Sequence, residues 1–157
     1  MSVLASLIDR SISGSYSNSD VAILGRSALV KCTGLTSLSF PNVIYLGSEV
    51  FYRCSNLASI SIPKVKFIDW NAFTRCTSLT EVSLPNVTSI GSQAFSYCSN
   101  LTTIYVGANV STVCTLGSSV FYNCTRLANI YVPSHLVNDY KSATNWSEYA
   151  DKIKAAP

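Results

Sequence analysis

The sequence predicts a β-rich solenoid, built from five stacked copies of a unit of about 22 residues and closed by a helical C-terminal cap. Three observations carry this reading. Cys32, Cys54, Cys76 and Cys98 follow one another in steps of 22, and Cys124 comes after a step of 26. Pro41, Pro63 and Pro85 keep the same step of 22. Apolar columns run in phase with both. Leu29, Phe51, Phe73, Phe95 and Phe121 stand three residues before each Cys, and Leu35, Leu57, Leu79, Leu101 and Leu127 three residues after it.

Each part of the unit has a physical role. The run after each Cys ends in apolar residues at alternate positions, as in Ile60 and Ile62 or Ile104 and Val106. That period of two predicts a short strand with alternate side chains inward. Strands of successive coils then pair in parallel, about 4.8 Å apart. Pro41, Pro63 and Pro85 lack an N–H, so they belong just past the ladder and end the strand. Gly25, Gly47, Gly91 and Gly117 share one column, where Asp69 stands in the third copy, and suggest a turn with positive φ. The stretch from Ala-Phe to Cys returns along the opposite side and is too short for a long helix. It is expected as 3₁₀ or irregular backbone.

The copies divide the chain into an N-terminal cap segment (1–18), five repeats (19–132) and a helical C-terminal cap (133–157). Ser134 is placed to N-cap a helix running to about Ala143, and Ser147 to start a second one reaching Ala155. Leu136, Tyr140, Trp146, Tyr149 and Ile153 are expected to cover the fifth coil. At the other end Leu4, Leu7, Ile8 and Ile12 are expected to form a short lid, and Gly14 to Ser19 a turn-rich link.

Composition narrows the function classes. Charged residues are 12% of the chain and the net charge is +3, with no run of Lys or Arg on any segment. A nucleic-acid partner needs a concentrated basic face, so none is expected. Membrane insertion is not expected either, since no stretch approaches the ~18–20 apolar residues of a spanning helix. Met1 to Arg10 lacks a basic leader pattern, so no signal peptide is expected within this chain.

The pattern F-x-x-C-x-x-L-x-x-I-x-I-P-x-V-x-x-I resembles the BspA-like type of leucine-rich repeat, named for a bacterial surface antigen. Phe51, Cys54, Leu57, Ile60, Ile62, Pro63, Val65 and Ile68 form the clearest copy, with Asp69 in place of the glycine that ends the pattern; Gly91 restores it in the next copy. The segment Ser111 to Leu116 is similar to last repeats of prophage-encoded members. The resemblance implies a leucine-rich-repeat solenoid with parallel strands on one face, short irregular or 3₁₀ segments opposite, and a helical cap. It also implies a place on the bacterial cell surface, within a longer chain, or on a phage particle.

No cofactor, metal site or catalytic set is expected. Five of the six cysteines form one column, unlike the close pairs of zinc sites, and are expected as buried thiols. Neighbouring rungs come close, but parallel Cβ vectors suit a disulfide poorly. Cys114 lies outside the column and is expected to be partly exposed. His135, the single histidine, sits at the start of the cap.

The residues therefore point to a non-enzymatic binding module for a protein or a surface glycan. The alternative is a structural or phage-tail part with no small-molecule ligand. The outward strand columns are Ser37, Ser59, Glu81, Thr103 and Asn129, and Ser39, Ser61, Ser83, Tyr105 and Tyr131. This small hydroxylated face becomes aromatic towards the cap, a mixture suited to recognition. The candidate binding residues are Tyr105, Tyr131, Thr103, Asn129 and Glu81. Trp70 joins them as the one large ring in a turn column that otherwise holds Arg26, Ser48, Ser92 and Ser118.

Overall fold

The computed structural model describes residues 2–4 and 11–157. In chain order its strands are β1 (Ser2–Leu4), β2 (Gly14–Ser17), β3 (Val21–Leu24), β4 (Leu35–Ser39), β5 (Tyr45–Leu46), β6 (Ser59–Ser61) and β7 (Phe67–Ile68). They continue as β8 (Glu81–Leu84), β9 (Ser89–Ile90), β10 (Thr103–Val106), β11 (Thr115–Leu116) and β12 (Asn129–Val132). Helix α1 (Val137–Ser142) and strand β13 (Ile153–Ala155) close the chain.

Two walls of parallel strands run along the solenoid. The longer strands form a three-stranded sheet, β2-β4-β6, and a four-stranded sheet, β8-β10-β12-β13. The short odd-numbered strands β1 to β11 form a six-stranded sheet of their own. This second wall was not anticipated from sequence, because two-residue strands carry almost no periodicity. Gly14 to Ser19 departs from the expected link: Gly14–Ser17 is a strand whose residues pair with Leu35 to Ser39. Leu7 and Ile8, assigned to an N-terminal lid, lie outside the described residues. Leu4 belongs to β1 and is paired with Leu24.

The third side, from the Phe column to the Cys column, is built without strands. Alternate N–H groups donate to the next coil: Phe51 to Ala72 O (2.8 Å), Arg53 to Thr74 O (2.9 Å), Phe73 to Ala94 O (2.7 Å). The N–H groups between them close 3₁₀-type bonds within the coil, as from Cys54 to Phe51 O (3.0 Å). This alternation puts two non-glycine residues per coil in the left-handed region, Glu49 and Arg53 (φ 58 and 60°), then Asn71 and Arg75 (56 and 64°). Left-handed backbone costs roughly 1–2 kcal/mol per L-residue. The hydrogen bonds to the neighbouring coil hold it in place.

The glycine column has a different cause from the one expected. Gly25, Gly47, Gly91 and Gly117 do not have positive φ; among described glycines only Gly14 and Gly107 do. At Gly47, Gly91 and Gly117 the coils touch backbone to backbone, while the third coil carries Asp69 in this column. A Cβ on Gly47 would lie 2.7 Å from Arg26 N, and one on Gly91 would lie 2.6 Å from Trp70 N.

The core is a stack of columns. Phe51, Phe73 and Phe95 are fully buried, with ring centroids 5.0 Å and 4.9 Å apart, and Phe95 stands 5.9 Å from Phe121. At the C-terminal end Trp146 and Tyr140 are fully buried and plug the last coil. Trp146 Nε1 donates to Cys114 O (2.6 Å), and Cys114 N donates to the Tyr140 hydroxyl (3.0 Å).

Two details of the cap differ from expectation. Ser134 makes no side-chain cap; it begins a 3₁₀ turn, Ser134–Leu136, that leads into α1. The second helix is only a 3₁₀ turn, Ser147–Tyr149. Its expected end is instead β13, which pairs in parallel with β12 and buries Ile153 beside Ile130. An unpaired sheet edge at β12 is a stronger demand than the helix propensity of Lys152 to Ala155.

Truncating Phe73 to Ala should cost about 3–5 kcal/mol, the range for a buried ring. Gly91→Ala should cost about 1–3 kcal/mol by overpacking against fixed backbone. Gly14→Ala, with nothing within 4 Å of the added Cβ, should cost only the ~1–2 kcal/mol of left-handed backbone. Chemical denaturation of the three variants checks the order; a Gly91→Ala protein as stable as wild type would show that coil contact does not set that column.

Candidate functional site

The expected sheet-face residues come together because β8, β10 and β12 pair in strict register. Thr103 lies between Glu81 and Asn129, and Tyr105 lies between Ser83 and Tyr131. Inward partners Val82, Ile104 and Ile130 are buried, so the alternate residues face outward. The Tyr105 and Tyr131 rings stack with centroids 5.1 Å apart and planes 24° from parallel. Both are half-buried against each other and the sheet. Strand β13 adds a residue that the sequence reading missed: Lys154 pairs with Tyr131, and its Nζ donates to Asn129 Oδ1 (2.6 Å). With Lys154 assigned to a helix, its place in an outward column was hidden.

Trp70 does not join this group. It follows β7, a strand of the short-strand wall, and stands on the turn edge with 39% of its surface exposed. The Arg26 guanidinium lies 5.6 Å from its ring centroid, and Arg26 also pairs with Glu49 at 3.6 Å. Phe67, three residues before it and 48% exposed, is a second ring on this wall that sequence reasoning passed over. Its column, Ile23, Tyr45 and Phe67, was legible had the two-residue strands been recognised.

All six cysteines are buried and none is in a disulfide. Cys114 is thus corrected from partly exposed to 1% exposed. The longer fifth repeat turns its side chain inward, and the cap covers it by bonding both its N–H and its carbonyl. The thiol column is more than filler. Cys54, Cys76, Cys98 and Cys124 donate from Sγ to the carbonyls of Leu29, Phe51, Phe73 and Phe95 in the preceding coil, at 3.0–3.2 Å. Burial pushes the thiols of Cys54, Cys114 and Cys124 up to about 12, and those of Cys76 and Cys98 well above the ordinary range. Such thiols are poor nucleophiles. In the column one residue after the phenylalanines, Thr74 and Ser96 are buried and share a hydrogen bond of 3.0 Å.

His135 is exposed at the start of the cap. Among the described residues no group of three His, Cys, Asp or Glu is placed to hold a metal ion, and no helix is long and apolar enough to cross a membrane.

Reading by segment also missed a basic column. Lys31, Arg53 and Arg75 each precede a column cysteine, and stacking makes them neighbours. All three are exposed and line an open groove of about 560 Å³ together with Thr33, Ser55 and Thr77. The signal was present at a spacing of 22 rather than as a local run.

The family described as "BspA type Leucine rich repeat region" matches residues 22–147 in six copies. Among solved structures, a T. pallidum leucine-rich-repeat protein is 25% identical with a TM-score of 0.75, covering 85% of this chain and 64% of its own. A leucine-rich-repeat protein from Bacteroides ovatus is 25% identical with a TM-score of 0.64, covering 95% of this chain and 45% of its own. A leucine-rich cell surface protein from Faecalibacterium prausnitzii is 29% identical with a TM-score of 0.56, covering 76% of this chain and 38% of its own. The chain thus spans less than two thirds of each. No curated protein sequence matches it at a significant level.

Because the folded thiols keep their protons to a higher pH than unfolded ones, the native state holds more protons above about pH 9. Stability should be fully present below the unfolded thiol value and fall as pH rises from about 9 towards 12. Denaturation midpoints measured from pH 7.5 to 10.5 check this, and Cys76→Ala should flatten the fall. A thiol reagent should find no fast site in native protein and all six cysteines after unfolding.

Proposed function

The chain belongs to the BspA-type leucine-rich-repeat family, and from that premise we propose that it is a binding module whose sheet face recognises a protein on or at a bacterial cell surface. The observation that carries the reading is the stacked pair Tyr105 and Tyr131. It is the aromatic patch of a wall whose remaining outward residues are chiefly Ser and Thr. Large rings concentrate interface energy, and a pair already stacked loses little side-chain entropy on binding.

The neighbours complete a recognition surface. Thr103 and Asn129 offer hydrogen bonds beside the rings, Glu81 a negative charge, and Lys154 a positive one at the capped end. A binding role, rather than a catalytic one, fits thiols held protonated in the core and a histidine standing alone at the cap. The likeness to a Faecalibacterium prausnitzii cell surface protein supports a surface location, with this chain as part of a longer array.

Replacing both tyrosines with Ser makes their column uniform with Ser39, Ser61 and Ser83, so folding should survive. A protein partner isolated with the wild-type chain from surface extracts should bind the double variant about tenfold or more weakly, as loss of an aromatic hot spot implies. Affinity by calorimetry and melting by circular dichroism are the two readouts. Full affinity with unchanged melting would remove the sheet face and direct attention to Trp70 and Phe67.

A further inference from the structure

The strandless side of the solenoid carries a second surface, independent of the sheet face. At the position before each column cysteine the chain places Lys31, Arg53, Arg75, Tyr97 and Asn123. The backbone fixes these positions tightly. Each has left-handed φ, from 56 to 64°. The N–H groups of the first four donate to the next coil, as from Lys31 to Tyr52 O (2.8 Å) and Tyr97 to Tyr122 O (2.7 Å). The residues therefore rise as a ladder with one rung per coil, about 4.8 Å apart.

Three rungs are cations, and the groove they line has no acidic side chain on its walls. The nearest carboxylate on this side by sequence, Glu49, is engaged by Arg26 (3.6 Å) and Ser27 Oγ (3.3 Å). Thr33, Ser55 and Thr77 form the other rim. The ladder then runs on to rings: the Arg75 guanidinium sits 4.6 Å from the Tyr97 centroid, and Tyr97 meets Tyr122 edge to face at 5.5 Å. Both tyrosines are exposed, Tyr122 by 55%.

We propose that this groove binds a linear acidic polysaccharide, its uronate carboxylates meeting the cationic rungs, with a sugar ring resting on Tyr122 beside Tyr97. Charge together with ring chemistry decides the class of ligand: each hexuronic-acid unit carries one carboxylate for a cation, hydroxyls for the rim and an apolar ring face, a combination that an acidic peptide lacks. The hydroxyl rim suits sugar hydroxyls, and the exposed rings suit the apolar face of a pyranose. Side chains carrying the charge are long and exposed, so each contact is weak and screened by salt, and binding depends on several rungs acting together.

The test uses oligogalacturonate as probe, with its neutral methyl ester, polyglutamate and oligothymidylate as comparators, in calorimetric titrations at low and physiological salt. The informative variant is Lys31→Asn, Arg53→Asn, Arg75→Asn. Asn already fills this column at Asn123 with φ 56°, so the backbone is accommodated. Oligogalacturonate should bind, weaken with salt and outcompete the other probes, and the triple variant should bind about tenfold or more weakly with unchanged melting. Arg53→Asn alone, the middle rung, should give an intermediate loss. A control losing the same charge elsewhere, Lys66→Asn, Lys141→Asn, Lys152→Asn, should bind as wild type. The proposal is overturned by absence of binding at low salt, by equal binding of polyglutamate or oligothymidylate, by full affinity in the triple variant, or by equal loss in the control.

Discussion

Contact between the backbones of successive coils is the constraint on which the rest of the structure depends. One coil of about 22 residues cannot bury its own apolar face; only its neighbours can cover it. The coils must therefore approach to strand-pairing distance all the way round. Two sides meet the demand with parallel ladders. The third meets it with alternate N–H groups donated to the next coil, which forces residues such as Arg53 and Arg75 into left-handed backbone. Where the approach is closest an added Cβ would press on the neighbouring backbone, and the column holds Gly47, Gly91 and Gly117, with Asp69 admitted in the third coil.

The same constraint accounts for residue choices that hydrophobicity alone leaves open. Alanine is apolar too, but its methyl cannot donate to the carbonyl of the preceding coil as the thiol does. Asn56 and Asn100 reach back one coil to the carbonyls of Thr33 and Thr77 at 2.8 and 2.7 Å. Asn42 and Asn86 do the same to Ser19 and Pro63. Each bond satisfies a carbonyl that the strandless corners would otherwise leave to solvent. The phenylalanine stack contributes burial, but the polar ties fix the pitch at which those rings meet.

What the sequence disclosed and what it concealed divide along this line. Burial leaves a record: Phe51, Leu57, Ile62 and Val65 repeat because each coil must present the same apolar set, so the repeating core was legible, while Cys114, outside the repeat column, was not. Backbone geometry leaves a weaker one. Positive φ at Glu49 or Tyr97 is imposed by neighbouring coils against local preference, and the glycines suggested a turn where crowding was the cause. Lys152 to Ala155 reads as helix in isolation but becomes a strand beside an open sheet edge. For the candidate sites, the outward order of Glu81, Thr103, Asn129, Tyr105 and Tyr131 followed from the period of two. Lys154 did not, because it belongs to that misread segment.

A solenoid also changes what a surface cluster means. Lys31, Arg53 and Arg75 are far apart along the chain, and the net charge of +3 gives no hint of them. Stacking brings them to neighbouring rungs and sets their cations along one groove. Because the inward columns, the backbone bonds and the asparagine ties maintain the stack, the remaining outward positions are free to differ from wall to wall. The sheet wall carries hydroxyls and a tyrosine pair, the turn edge carries Trp70 beside Arg26, and the strandless side carries the cations. A rigid pitch favours ligands that themselves repeat. Each added rung stands on a backbone position that is already set, so weak contacts along one groove add up.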